Sequence, residues 1–215
     1  MLYSHQTSWL IRLFFPHQLI WDFKNKYQDD KIIYLTFDDG PIPSVTEFVL
    51  DELAKYQARA TFFCVGDNLR KYPAIGQAIL KNHHAIGNHT YHHLNGWKTA
   101  VDDYIIDVAK CQKIIEDTCS LSTTLFRPPY GLLKPSQTRK LLSAYHIIMW
   151  DVLSGDFDLK LSSKRCYQKT ITYTRPGSIV VFHDNIKATS RLYYTLPRFL
   201  KYFHELGYVF EKIDI

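Results

Sequence analysis

The sequence predicts an α/β chain closed, or nearly closed, into a β/α barrel, with a doubly wound open sheet as the alternative. Three observations carry this. About seven strand-like runs alternate with helical patterns along the 215 residues. Several of those runs are apolar without interruption, which means burial on both faces, as in parallel sheets covered by helices. Ionisable residues also stand where five of the runs end. In both architectures functional groups gather at the carboxyl ends of the strands, so those residues would share one mouth.

The first run, 31–37, leads into Thr36-Phe37-Asp38-Asp39-Gly40-Pro41. Its β-branched and aromatic residues favour a strand and Gly-Pro stops it. By itself this is also a plain acidic turn. Ser44-Val45-Thr46-Glu47 reads as a capping box opening a helix whose apolar face holds Val45, Phe48, Val49 and Leu53. A strand over 60–65 precedes a helix over 67–82, with Pro73 near the start of its regular part. A short strand over 84–88 runs into His89-Thr90-Tyr91-His92-His93. Val101, Tyr104, Ile105, Val108, Cys111 and Ile115 form one stripe and predict a helix over 101–118. A strand over 123–126 stops at Arg127-Pro128-Pro129. A helix over 135–144 leads to a strand over 145–150 with Asp151 after it. A further helix over 162–173 is followed by a strand over 178–182 ending at His183. The last helix, 191–206, stops at Gly207 before a strand over 208–210.

Composition narrows the function classes. Hydrophobic residues are 46% and charged ones 22%, ordinary for a globular domain, and a net charge of +5 comes from scattered Lys and Arg. No dense basic run marks a nucleic-acid footprint. The aromatic share, 15%, suits a barrel or a sugar-binding cleft. Cys64, Cys111, Cys119 and Cys166 contain no C-x-x-C pair, and free, mostly buried thiols lean towards a reducing compartment. Residues 1–30 read as an extension to a domain over 31–215. Their apolar stretch carries Arg12 and lacks the pattern of a signal peptide. Trp9, Leu10, Leu13, Phe14 and Trp21 fit packing on the domain, or peripheral membrane contact through residues 9–21. The expected compartment is cytoplasmic or peripheral to the membrane.

The acids and imidazoles permit metal chemistry. His89 and His93 stand at i and i+4, facing the same way on one helical turn, at a spacing that suits two bonds to one cation. His92 reads as solvent-facing or supporting. One carboxylate of the Asp38–Asp39 pair completes a His₂-carboxylate face with open positions, suited to zinc or to iron(II). If Asp39 is the ligand, Asp38 is free to act as a base, and Arg127 is the partner that keeps it charged, unless Arg127 is a structural ion pair alone. The two prolines after Arg127 stiffen a loop whose Tyr130 N–H can meet an oxyanion. His183 stands where an amide's leaving amine needs a proton donor, with Asp151 as the group raising its pKa; an internally capped strand end fits it equally well.

Thr36 to Pro41, His89-Thr90-x-x-His93, Arg127-Pro-Pro-Tyr130, Asp151-x-x-Ser154-x-Asp156 and Val181-Phe182-His183 together resemble the ordered motifs of the polysaccharide deacetylases, the NodB-homology domain of carbohydrate esterase family 4. The resemblance spans about residues 31–213. It implies a distorted (β/α)7 barrel that removes N- or O-acetyl groups from glycans with one divalent metal, usually Zn2+, with Co2+, Fe2+ and Ni2+ as alternatives, and the expected substrate is an N-acetylated sugar in a polysaccharide, an oligosaccharide or a precursor. It places the base on Asp38, the ligands on Asp39, His89 and His93, the acid on His183 with Asp151 tuning it, the base's partner on Arg127 and the oxyanion N–H on Tyr130. Phe157 departs from the family, which often has tryptophan there, and this bears on the wall of the sugar cleft. The rival expectations are a metal-dependent amidohydrolase or deformylase on a non-glycan amide, and a catalytically silent glycan-binding module.

Overall fold

The computed structural model describes residues 4–13, 15–24 and 30–215, the side chains of Trp9 and Ile11 excepted. Its centre is a parallel sheet curled into a partial barrel. β1 (Ile32–Asp38), β2 (Thr61–Cys64), β3 (Ala85–Asn88), β4 (Leu125–Phe126) and β5 (His146–Ile147) lie side by side. On the other flank of β1 stand β7 (Ile179–His183) and then β6 (Val152–Leu153), while β8 (Val209–Glu211) pairs with the start of β1. The expected (β/α)7 barrel is therefore the observed architecture, a single domain in which β1 to β8 pair with one another in parallel among the described residues.

The two faces of the central strand have different tasks. Successive side chains point to opposite sides. Ile33, Leu35 and Phe37 face outwards into a core shared with α2 (Val45–Ala54) and α8 (Thr189–Glu205). Tyr34, Thr36 and Asp38 share the inner face, which turns polar towards the carboxyl end. β7 repeats the rule, with Val180 and Phe182 outside and Ile179 inside.

Two elements differ from expectation for local reasons. The helix over 67–82 is two helices, α3 (Gly66–Lys71) and α4 (Pro73–Lys81). Proline disfavours the helical conformation in the residue before it, and Tyr72 sits at φ −127°, ψ 57°. The strand over 145–150 is only β5, because the chain jogs at Met149 to Asp151 and re-enters the sheet beside β7 as β6. α5 (Val101–Cys119), α6 (Pro135–Leu141) and α7 (Ser163–Tyr173) fall where the periodicity put them.

The chain's beginning closes the seam between β5 and β7. Ile20 N–H donates to Ile147 O, Met149 N–H to Ile20 O, and Phe23 N–H to Gly177 O. Gly177 has φ +77°, and a Cβ there would lie 2.6 Å from Lys24 N, so glycine is what admits this strap. Further out, Leu153 N–H donates to His5 O, and Thr7 N–H to Asp151 O. Leu19 and Trp21 are buried against Phe126, Ile147 and Met149. Of the apolar residues expected to act together, Trp21 is thus in the core, whereas Leu10 and Leu13 are exposed. Phe14 and the Trp9 side chain lie outside the described residues. Among the described residues no helix is long and apolar enough to cross a membrane. All four cysteines are free, three of them buried.

Candidate active site

The parallel strands deliver their carboxyl ends to one rim. Asp38 and His183 are register partners on β1 and β7, so their backbones are neighbours. His89 and Arg127 follow directly on the paired ends Asn88 and Phe126 of β3 and β4. Asp156 stands three residues beyond the end of β6.

Arg127 is the most confined of these groups, fully buried across the barrel interior. Its Nε donates to Ile148 O at 3.0 Å and its Nη2 to Met149 O at 2.9 Å. Nη1 reaches Thr36 Oγ1 at 2.7 Å and Asp38 Oδ1 at 2.8 Å. The guanidinium also lies 4.2 Å from the Phe63 ring centroid. Burial depresses its pKa and the Asp38 charge opposes that, so the ion pair sits in a low-dielectric setting where the two charges depend on each other.

Asp39, His89 and His93 come together, their candidate donor atoms lying within 4.8 Å of one another. Asp39 Oδ1 is 3.0 Å from His93 Nε2 and 3.6 Å from His89 Nε2. His89 Nδ1 lies 2.7 Å from Arg127 O. A carbonyl oxygen only accepts, so Nδ1 carries the proton and Nε2 presents its lone pair to the cluster, as a metal ligand requires. The donor set fits one divalent cation of the zinc type. The expected helical turn is absent. His89 to Asn95 is an irregular loop with Thr90 at φ 63° and His93 at φ 56°, and these left-handed residues bring the two rings to 5.1 Å between centroids. His92 points away, half exposed and bonded to Asp107.

Asp39 has φ 83°, which swings its carboxylate off the strand towards the imidazoles. Asn185 Nδ2 donates to its other oxygen at 2.5 Å, and Asn68 Nδ2 to its carbonyl at 2.7 Å. Burial opposes its charge, but His89, His93 and His183 prevail and hold its pKa well below the carboxylate range. Beneath it, Asp184 accepts from Gly40 N–H at 3.0 Å and from the Thr46 hydroxyl. A Cβ on Gly40 would come within 2.0 Å of that carboxyl, so only glycine allows the approach. Burial chiefly pushes the Asp184 pKa up to about 8.

His183 corrects one expectation. Asp151 does not touch it. The jog before β6 puts Asp151 at the amino end of that strand, where it accepts from Ile179 N–H at 2.8 Å and Ser178 Oγ at 2.9 Å and pairs with Lys24 at 2.6 Å. The carboxylate on His183 is Asp156, whose Oδ1 lies 2.7 Å from Nδ1 and whose Oδ2 accepts the His183 N–H at 2.8 Å. Burial works against a charged His183, yet Asp156, with Asp39 and Asp38 further off, outweighs it and raises the pKa to about 9. No sequence signal pointed to Asp156, because β6 before it is only the pair Val152-Leu153. Asp184, Asn185 and Thr36 were also missed, although all three flank the expected residues. Phe157 packs edge-on against His183, at 5.1 Å between centroids. Tyr130 sits half exposed at the rim with φ 61° and its ring 4.8 Å from that of His93.

The chain is similar to known proteins. A family model described as polysaccharide deacetylase matches residues 25–149. The chain is 31% identical over 196 residues to a peptidoglycan-N-acetylglucosamine deacetylase of Bacillus cereus, covering 90% of each. It is 34% identical over 160 residues to a chitooligosaccharide deacetylase of Azorhizobium caulinodans, covering 73% of this chain and 75% of that one. Among solved structures, the Bc1960 peptidoglycan N-acetylglucosamine deacetylase matches with a TM-score of 0.85 at 25% identity, over 96% of this chain and 95% of that chain. Other curated relatives are longer: the chain spans 55% of a second Bacillus cereus deacetylase and 39% of PgdA from Listeria monocytogenes.

Proposed function

This chain belongs to the polysaccharide deacetylase family, and on that premise we propose that it hydrolyses the acetamide of N-acetylated sugars in a glycan such as peptidoglycan or chitooligosaccharide. The observation that supports this reading most is the meeting, at one rim, of an arginine-held carboxylate, an Asp–His–His cluster and a carboxylate-held histidine. Asp39, His89 and His93 would hold one divalent cation, with Zn2+ the best fit and Co2+, Fe2+ and Ni2+ as alternatives. Bound there, the cation would polarise the acetyl carbonyl and make water a stronger acid.

The chain's own residues account for the proton movements. Asp38, held by the Arg127 guanidinium, takes the proton from the attacking water. The N–H of Tyr130 supports the oxyanion that develops on the acetyl oxygen. His183 gives its proton to the departing amine, and Asp156 holds the imidazolium in register for that transfer. Two carboxylates on adjacent residues thus have separate tasks because one faces a guanidinium and the other two imidazoles.

Acetate release from peptidoglycan fragments, chitin oligomers and acetylated xylan tests the reading, with small formamides as the contrast. Asp38→Asn should lower kcat by at least about 10²-fold while bound metal stays at wild-type level, whereas His89→Ala should lose the metal. Normal turnover in the first variant removes Asp38 from its role. Tight glycan binding with no acetate released would leave a binding module instead.

A further inference from the structure

One buried charge is unused by this chemistry. Asp107 lies on the core face of α5, in line with Tyr104, Val108, Cys111 and Ile115, where a carboxylate is costly unless its oxygens are bonded. Its partners all belong to the loop between the two histidines of the cluster. Oδ2 accepts the N–H of Tyr91 at 2.9 Å and of His92 at 3.0 Å. Oδ1 lies 2.5 Å from His92 Nδ1.

That loop needs holding. Thr90 and His93 both have positive φ, a backbone conformation that L-residues rarely adopt. Asp107 grips the two residues between them. Asn88 secures the loop's start through Thr90 N–H, and Thr90 Oγ1 accepts Leu94 N–H at its end. Asn88 Nδ2 in turn donates to Val108 O, so strand and helix are tied at the residue beside Asp107.

We infer that Asp107 is a positioning residue for the cation site: from α5 it sets the backbone at Tyr91 and His92 so that His93 Nε2 faces Asp39. This rests on reading Asp39, His89 and His93 as ligands. The His92 side chain is then a second anchor for the carboxylate rather than a ligand.

The test is Zn2+ affinity of the metal-stripped full chain, measured by competition with a chromophoric chelator, beside circular dichroism of the metal-free protein. Asp107→Leu removes every acceptor and should weaken Zn2+ binding 10- to 100-fold with the helix content retained. Asp107→Asn keeps one oxygen able to take both N–H groups, whereas Asp107→Glu keeps the charge but displaces it by a methylene. Geometry rather than charge should decide, so Asn should bind Zn2+ more tightly than Glu. Lys24→Met, far from the loop, should melt earlier yet keep wild-type affinity. A folded Asp107→Leu protein within threefold of wild type would overturn the inference. If that variant does not fold, Glu binding as tightly as Asn or more so would overturn it. Wild-type protein that takes up no Zn2+ would instead remove the cation site, and the inference with it.

Discussion

At the scale of single residues, a carboxylate acts only on what its oxygens reach. Asp156 reaches His183 and Asp151 does not, although both lie in the same short stretch. Asp156→Asn should therefore lower kcat/KM by roughly 10²-fold. It should also move the alkaline limb of the pH–rate profile to lower pH. The sign follows from the shift: Asp156 raises the imidazole pKa, the acid works only while protonated, and without that carboxylate the proton leaves earlier as pH rises. Asp151→Asn should leave that limb in place. An Asp151 variant that moved it and an Asp156 variant that did not would reverse the assignment.

At the scale of elements, the strap before β1 behaves as part of the barrel wall, because its backbone bonds fill the gap between β5 and β7. Lys24 carries its charge contribution. The Asp151 side chain is completely buried, and Lys24 Nζ lies 2.6 Å from it, about a third exposed itself. Removing the ammonium leaves a buried charge with two neutral donors. Lys24→Met should cost about 2 kcal/mol at pH 7 by urea unfolding, below the usual cost of breaking a buried pair because the lysine keeps some water. Burial already raises the Asp151 pKa and Lys24 restrains it. In the variant the pKa rises further, so the penalty stands above the folded pKa and shrinks as acid neutralises the carboxyl. A deficit as large at pH 4.5 as at pH 7 would exclude the ion pair as its source.

At the scale of the whole molecule, acid sensitivity should trace to the amino end of the barrel, away from the rim. His84 is buried at the start of β3, and its Nδ1 accepts the Ala60 N–H at 3.2 Å, which needs a neutral ring. Burial, with His83 and Lys212 adding to it, lowers its pKa to about 4. The unfolded chain takes the proton first, so stability is complete above the unfolded value near 6.5 and falls as pH drops towards 4. The loss should reach about 3 kcal/mol. His84→Gln should flatten the slope of unfolding free energy across that interval. An unchanged slope would place the acid-sensitive group elsewhere.

Most strands and helices and the residues that end the strands were legible in the sequence, because apolar runs and the acids, imidazoles and guanidinium after them are local patterns; the choice of a (β/α)7 barrel over an open sheet came from the resemblance of the motifs. Asp38, Asp39, His89, Arg127 and His183 stand at or directly after strand ends, where parallel pairing must collect them. Which acid serves which histidine was not legible. Val152-Leu153 is too short to announce a strand, and only the pairing of those two residues with Val180 and Val181 puts Asp151 below the sheet and Asp156 above it. The i, i+4 histidines likewise meet through left-handed loop residues and a carboxylate from α5, contacts made across 15 to 16 positions of chain. Local periodicity dictates what each segment can become; hydrogen bonds between distant segments decide which of two similar side chains a given oxygen meets, and only the folded chain contains them.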